Sequence, residues 1–164
     1  MKTRDRATLW ALPGWISACF VAAAVGGAAS AGSGEFYARL TRPEWAPPAG
    51  LFGPVWTVLY AMMGVAAWLV WRERERPGAR AALGLFLTQL AFNALWTWIF
   101  FAWRAGAAAF AEIVLLWVLI AATLVAFARV RPLAGILLAP YLLWVTFATA
   151  LTLSLWKANP TLLG

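Results

Sequence analysis

The chain has no histidine, and its single cysteine, Cys19, lies inside an apolar run. A lone thiol cannot form a disulfide within the chain. Without histidine, the usual zinc ligand sets, Ser-His and Cys-His catalytic pairs, and axial histidine ligation of haem are all excluded. We therefore expect no metal site and no cofactor, and we interpret Cys19 as a small buried hydrophobic residue.

Charged residues are also scarce: they make up 12% of the 164 residues, whereas 64% are hydrophobic. Soluble globular proteins average about 25% charged and about 45–50% apolar residues. A domain this small leaves much of its surface outside its core, so it cannot bury such an excess of apolar side chains internally. The sequence therefore predicts an integral membrane protein.

The basic residues outnumber the acidic ones, 13 to 6, which gives a net charge of +7. A basic chain can bind nucleic acid, but here Lys and Arg stand between apolar runs and form no continuous basic face. At such positions they mark membrane topology and contact anionic headgroups. We expect membrane lipid as a partner and no nucleic acid.

Five apolar runs are each long enough to cross a bilayer, which takes about 20 helical residues. β-Strands are excluded because lipid offers no partner for open strand edges and the runs do not alternate as barrel strands do. The predicted fold class is all-α, an integral membrane bundle of five transmembrane helices in a single domain, residues 1–164. The predicted spans are about 9–31, 52–71, 81–102, 106–128 and 133–156, and a lid loop covers about 32–51.

The first apolar run admits a second interpretation, a secretory signal peptide. Lys2, Arg4 and Arg6 precede it, and the small residues Ala29-Ser30-Ala31 follow it as at a cleavage site. Signal h-regions are about 7–15 residues long, however, and this uncharged stretch is roughly twice that length. We favour a retained first helix.

Lys and Arg are distributed unevenly between the two sides of a five-span bundle, with nine on the amino-terminal side and four on the other. Cytoplasmic loops carry the excess of basic residues. The amino terminus is therefore predicted to be cytoplasmic and the carboxyl terminus outside, in a multi-pass protein for which we favour a bacterial inner membrane and leave an outer membrane open. The nine are Lys2, Arg4, Arg6, Arg72, Arg74, Arg76, Arg80, Arg129 and Arg131; the four are Arg39, Arg42, Arg104 and Lys157.

The connector at 32–51 is the longest in the chain and contains Pro43, Pro47 and Pro48. Proline stiffens a loop because it fixes φ and reduces the freedom of the unfolded chain. A long, stiff loop among short ones suggests a lid over a ligand site. The alternative, a plain connector with capping charges, stays open.

Tryptophan is over-represented, with 12 residues in the chain. Two roles compete: belts at headgroup depth, and aromatic surfaces that pack helices or line a pocket for a flat ligand. Trp56 is near the start of the second span and suits a belt, whereas Trp117 and Trp144 lie deeper. The belt pattern fits Trp10, Trp15, Trp68, Trp71, Trp103 and Trp156.

Polar side chains within spans are costly and indicate function by default. Gln89, Asn93 and Trp96 are four and three residues apart, so they share one face of the third span. Hydrogen bonding between helices competes with ligand contact as the role of the two amides. Glu112 is the only acidic residue within a span, and it suits either a protonated donor to another helix or an interfacial charge.

The fifth span repeats this spacing with Trp144, Ala148 and Leu151, which share one helical face. A small residue at the centre of such a face lets helices approach closely. It equally leaves room for a ligand, and both alternatives stay open.

Four segments of the chain carry a recognisable pattern: RPEWAPP at 42–48, GPVWTVLY at 53–60, QLAFNALW at 89–96, and PYLLW at 140–144 with FAT at 147–149. They resemble motifs of the translocator protein family, also called the TspO/MBR family, tryptophan-rich sensory proteins or peripheral benzodiazepine receptors. In order, they resemble its first loop, its second helix, its third helix and its fifth helix. The motifs occur in order, so the likeness covers nearly the whole chain.

The resemblance implies a five-helix bundle, usually a homodimer, with a pocket beneath the first loop. Family members bind porphyrins such as protoporphyrin IX, and many bind cholesterol or synthetic isoquinoline and benzodiazepine ligands. Some bacterial members are reported to promote light-dependent porphyrin degradation. The matching pocket positions are Tyr37 and Pro47 in the lid, Tyr60 in the second helix, and Trp56, Asn93, Trp96, Trp144, Ala148 and Leu151.

Three positions depart from the family pattern. Many relatives have a further Trp after the double proline, where this chain has Ala49-Gly50, and the usual Leu-Asn of the fifth helix reads Leu151-Thr152. The carboxyl-terminal cholesterol-recognition pattern needs a Tyr before its basic residue, but residues 151–157 read LTLSLWK. The sequence therefore gives no support for a cholesterol role.

We predict a membrane receptor or carrier that binds porphyrins and related flat hydrophobic ligands in a Trp-lined pocket, with ligand carboxylates paired to Arg39 or Arg42. No nucleotide-binding motif or acid–base apparatus is visible in the sequence, so we expect no catalytic residue and no conventional enzyme. Two alternatives stay open. One is light-dependent porphyrin degradation with the ligand as its own photosensitiser, and the other is a regulatory membrane partner without transport.

Overall fold

The computed structural model describes residues 3–164 of the chain, with side chains from Trp10 onward. Lys2 of the predicted basic amino terminus lies outside the described residues, as do the side chains of Arg4 and Arg6. Five helices in the described part are long and apolar enough to cross a membrane, which confirms the predicted fold class. They are α1 (Thr3–Ala29), α3 (Phe52–Arg72), α4 (Ala79–Thr97), α5 (Gly106–Val130) and α6 (Pro132–Ala158).

Lipid offers the backbone no hydrogen-bond partner. The backbone N–H and C=O groups of a membrane span therefore bond to each other within the segment, and long helices form. Their ends are set by turn residues. Gly78 precedes α4 with a φ of 82°, a left-handed conformation that glycine adopts without steric cost. Pro132 begins α6, where a missing backbone N–H costs nothing. At its other end α4 continues into a π-helical turn (Trp98–Ala102), a feature common near functional sites.

The connector between the first two spans is partly helical, unlike the irregular loop that the sequence predicted. It contains α2 (Ser33–Arg39) and a 3₁₀ turn (Ala49–Leu51), so only residues 30–32 and 40–48 of the connector lie outside helices. Glu35 in the first turn of α2 and Arg39 in its last turn both complement the helix dipole. A further short helix, α7 (Pro160–Leu163), follows α6 and was not predicted.

The helices pack so that α1 contacts α3 and α4, while α6 contacts α3 and α5. One apolar cluster fills the bundle interior between these helices, and Cys19 is fully buried in it, as predicted. A second cluster lies under the connector, where Leu163 of α7 meets residues of α2 and α6. The connector therefore packs on an apolar cluster separate from the one in the bundle interior.

Gly64 brings α3 into close contact with α1. A Cβ added there would lie 2.9 Å from both Cα and Cγ1 of Ile16, and a backbone atom cannot move aside as a flexible side chain can. We expect Gly64→Ala to cost about 1 kcal/mol, the low end for overpacking, and to lower the midpoint of thermal unfolding in detergent by several degrees.

The matched control is Gly84→Ala on the exposed face of α4, where an added Cβ meets nothing within 4 Å. Alanine is the better helix former, so this change should leave the unfolding midpoint unchanged or raise it. If the two variants unfold at the same temperature, the close approach of α1 to α3 is not a source of stability.

Candidate ligand-binding site

A cavity of about 620 Å³ lies between α1, α3, α4 and α6, beneath α2 and the 3₁₀ turn. Small-molecule sites commonly enclose about 300–1,000 Å³, so the cavity can hold a ligand of drug size or larger. Its lining residues, all within the described part of the chain, include no acidic or basic side chain. The aromatic lining residues are Phe20, Tyr37, Phe52, Trp56, Tyr60, Trp96, Phe100, Phe101 and Trp144.

Most of the residues that the sequence assigned to a pocket surround this one cavity. Pro47 is the exception, but its carbonyl oxygen accepts a hydrogen bond of 3.1 Å from the hydroxyl of Tyr37, which does line the cavity. The role of the predicted pocket residues in ligand binding stays a prediction, because the cavity shows only that they lie close together. The residues in the lining are Tyr37, Trp56, Tyr60, Asn93, Trp96, Trp144, Ala148 and Leu151.

The tryptophan rings of the cavity wall are held by other aromatic rings. Trp96 stacks on Phe100 with centroids 5.2 Å apart and planes 15° from parallel. Trp144 of α6 packs edge to face against Phe52 at the start of α3, with ring centroids 5.9 Å apart, and both rings line the cavity. Such pairs favour fixed ring orientations, which gives the cavity flat and rigid walls.

A chain of buried hydrogen bonds runs from the cavity wall into the protein. Tyr60 Oη donates to Asn93 Oδ1, and Asn93 Nδ2 donates to Tyr141 Oη at 2.9 Å. Tyr141 Oη in turn donates to Gln89 Oε1 at 3.0 Å, so the chain joins α3, α4 and α6. Asn93 thus bonds between helices and also lines the cavity, whereas Gln89 has only the bonding role.

Two α5 residues that the sequence singled out lie away from the cavity. Trp117 faces outward and donates its indole N–H to Thr146 Oγ1 at 2.7 Å, so it has the packing role. Glu112 is buried, and its carboxylate oxygens have no hydrogen-bond partner among the described residues. Within residues 3–164 no group of three potential metal ligands occurs.

The cavity is least covered on the side of α1 and α3. The lining residues of α4 and α6 are all buried or half-buried, whereas several of those on α1 and α3 are exposed. The exposed ones are Phe20, Ala24 and Gly27 on α1, and Gly53 and Thr57 on α3.

The part of the wall that α1 contributes was missed at the sequence level. It consists mainly of small residues, including Ala23, Ala24, Gly26 and Gly27, which make room for a ligand by having little side chain. The signal was visible as a run of alanine and glycine inside an otherwise bulky apolar span. Small residues equally favour close helix packing, so the run alone does not identify a cavity wall.

The connector places one guanidinium next to a lining residue of the cavity. The Arg42 guanidinium carbon lies 4.9 Å from the centre of the Tyr37 ring. Burial raises the pKa of the Tyr37 hydroxyl above its ordinary value, and the positive charge of Arg42 partly offsets this. The hydroxyl is therefore protonated at neutral pH and can donate to Pro47. Neither Arg39 nor Arg42 lines the cavity itself.

The sequence comparisons agree with this architecture. The model of the TspO/MBR family matches residues 15–157, which include most of α1 and nearly all of α6. The chain belongs to the TspO/MBR family. The match therefore takes in parts of all four helices that form the cavity walls.

Named relatives of this TspO/MBR chain come from bacteria and animals. It is 42% identical over 129 residues to the tryptophan-rich protein TspO of Chlorobaculum tepidum, covering 76% of this chain and 80% of that protein. It is 42% identical over 127 residues to the translocator protein of Homo sapiens, covering 76% and 75%. Protein CrtK of Rhodobacter capsulatus is 40% identical over 144 residues, covering 86% and 90%.

Proposed function

We propose that this TspO/MBR protein is a membrane receptor or carrier for porphyrins of the protoporphyrin IX class and similarly flat hydrophobic molecules. The cavity of about 620 Å³, with aromatic walls and no charged lining residue, is the observation that carries the proposal. Stacking of a flat ring on an aromatic side chain contributes on the order of 1–3 kcal/mol per contact, on the scale measured for nucleic-acid bases. Several rings around one space suit a flat macrocycle.

In this proposal the macrocycle lies among Trp56, Trp96 and Trp144, and its carboxylates stay at the connector end. Burying an ionised carboxylate in the uncharged interior would be costly. Arg42 lies over the ring of Tyr37, which lines the cavity, and Arg39 ends α2 nearby in sequence. Either guanidinium could form charge-assisted hydrogen bonds to a ligand carboxylate.

Removing the Arg42 guanidinium should weaken binding of protoporphyrin IX but not of its dimethyl ester. Arg42→Gln is expected to reduce protoporphyrin IX affinity by about three- to tenfold, because a partly exposed charge pair contributes about 1 kcal/mol. The dimethyl ester, which has no carboxylate charge, should bind wild type and variant equally. Titration followed by porphyrin absorbance in lipid nanodiscs measures both.

Arg104→Gln is the matched control, because Arg104 also lies over an aromatic ring, that of Phe36, at 4.9 Å, but is not a candidate partner for the ligand. Affinity for the free acid should be unchanged in this variant. Equal losses for acid and ester in Arg42→Gln would mean that the side chain shapes the connector rather than pairing with a carboxylate.

A second candidate function, light-dependent degradation of the bound porphyrin, is favoured by the three indole rings in the cavity lining. The excited porphyrin would act as photosensitiser and transfer its energy to dioxygen. The two oxygen atoms would add across a carbon–carbon bond of the macrocycle and become the two carbonyl groups formed when that bond breaks, while the indole rings hold the macrocycle in place. Illumination of the complex in air should then bleach the main porphyrin absorbance band and produce a new absorbing product, whereas illumination under argon should not. Bleaching at the rate of free porphyrin in empty nanodiscs would leave binding as the only function.

We further propose that the chain acts as one transmembrane domain within a homodimer, with the amino terminus in the cytoplasm of a bacterial inner membrane. Four Arg residues in the connector 72–80 and two more, Arg129 and Arg131, lie at the end predicted to be cytoplasmic. Labelling of cysteines introduced at residues 76 and 104 with an impermeant reagent tests the orientation. Residue 104 should react in intact cells, and residue 76 only after permeabilisation.

A further inference from the structure

Asn159, between α6 and α7, is hydrogen-bonded through its side chain to both backbone groups of one connector residue, Thr41. Its Oδ1 accepts the Thr41 N–H at 2.7 Å, and its Nδ2 donates to the Thr41 carbonyl oxygen at 2.9 Å. The same Nδ2 donates to the Leu155 carbonyl oxygen at 2.8 Å. Asn159 is 5% exposed, whereas Thr41 is exposed, so the bond to Leu155 is buried and the two bonds to Thr41 are partly buried. A single amide thus satisfies both backbone groups of a residue 118 positions away.

These bonds lie between the connector and a helix that lines the cavity. Thr41 follows Leu40, which is buried, and α2, whose Tyr37 lines the cavity. Leu155, on the other side, is itself a lining residue of α6. Asn159 therefore joins the covering connector to the wall beneath it, without touching the cavity itself.

The segment after Asn159 is anchored, so the amide cannot easily swing away. Leu163 is fully buried in the apolar cluster that also contains Leu40. The indole N–H of Trp156 donates to the Gly164 carbonyl oxygen at 2.9 Å, which closes the end of α7 onto α6. The side chain thus starts from an anchored segment. Its two bonds to Thr41, together with the edge-to-face contact of Trp45 with Phe147 at 5.7 Å, hold the connector on α6.

We propose that Asn159 is a positioning residue that keeps the connector 40–48 closed over the cavity and thereby sets how long a ligand stays bound. The proposal rests on the proposed ligand-binding function of the cavity. When the two bonds to Thr41 break, residues 40–48 can lift from α6 while the aromatic walls stay in place. Ligand release then becomes faster, with a smaller change in affinity because association becomes faster too.

The experiment compares Asn159→Ala with Thr161→Ala, a control in α7 whose side chain is exposed. The dissociation rate of protoporphyrin IX from protein in nanodiscs is measured by stopped-flow transfer to empty acceptor vesicles. Asn159→Ala should raise this rate about tenfold, equivalent to about 1.4 kcal/mol of closed-state stability, and Thr161→Ala should leave it unchanged. An unchanged rate in Asn159→Ala overturns the proposal.

Hydrogen exchange of the Thr41 amide supplies a second measurement that needs no ligand. This amide should exchange faster in Asn159→Ala than in wild type and the control, because it loses its acceptor, whereas the amides of α3 should not change. Unchanged Thr41 exchange also overturns the proposal. If wild type binds no porphyrin, the proposed function fails, and Thr41 exchange still decides whether Asn159 fastens the connector. If the alanine variant does not fold, Asn159→Leu, which keeps the number of side-chain heavy atoms but loses both donated bonds and the acceptor of the Thr41 N–H, should shift both measurements in the same direction.

Discussion

Replacing Trp144 with alanine is expected to weaken protoporphyrin IX binding about tenfold to a hundredfold. Trp144 lines the cavity and is braced by Phe52 at 5.9 Å and Phe147 at 5.4 Å, so its ring presents a fixed surface. Loss of one stacking contact corresponds to about 1–3 kcal/mol. Because the chain contains 12 tryptophans, quenching of protein fluorescence is hard to assign. Porphyrin absorbance in nanodiscs is the better measurement.

Trp103→Ala is the matched control for this prediction. Trp103 is 62% exposed and lies outside the cavity lining, so its loss should leave affinity unchanged. Trp144→Phe should give an intermediate affinity, because a smaller ring retains part of the stacking surface. If Trp144→Ala binds as tightly as wild type, the cavity is not the porphyrin site. An equal loss in Trp103→Ala would indicate that porphyrin binds wherever interfacial tryptophan is present.

Replacing Asn93 with leucine is expected to destabilise the bundle by roughly 2–3 kcal/mol and to weaken ligand binding as well. The variant keeps the side-chain volume but leaves the hydroxyl of Tyr60 without its acceptor and that of Tyr141 without its donor. An unsatisfied buried polar group costs about 1–3 kcal/mol, although interhelical bonds in membranes often contribute less. The free energy of unfolding in mixed detergent micelles measures the loss.

Gln89→Leu separates the effect of the hydrogen-bond chain on stability from the effect of Asn93 on ligand binding. Gln89 accepts the last bond of the chain, from Tyr141, and does not line the cavity. We therefore expect a smaller stability loss in this variant, with porphyrin affinity unchanged. The hydrogen-bond chain would have no structural role if Asn93→Leu unfolded at the same denaturant concentration as wild type.

The structure of the connector between α1 and α3, and its contacts with distant residues, could not be predicted from motif spacing. The sequence predicted a proline-stiffened lid at 32–51, but its first part is the helix α2, and Thr41 within it is hydrogen-bonded to Asn159 in a different part of the chain. A hydrogen bond between residues 118 positions apart leaves no periodic signal in a single sequence. The same holds for Tyr141, which joins Asn93 to Gln89 although it was noticed only as part of a motif.

The amino-acid sequence by itself determined the membrane environment, the five spans and the TspO/MBR family. These depend on the length of apolar runs, which a bilayer sets, and on local motifs that need no partner to be recognised. It also indicated eight of the residues that surround the cavity, through the family resemblance. Helical spacing alone placed Asn93 with Trp96, and Trp144 with Ala148 and Leu151, on shared faces. Only the tertiary structure decided which faces meet. The small residues of α1 became a cavity wall, and Trp117 faced outward, because packing against neighbouring helices, rather than residue type, decides whether a side chain encloses space or contacts lipid.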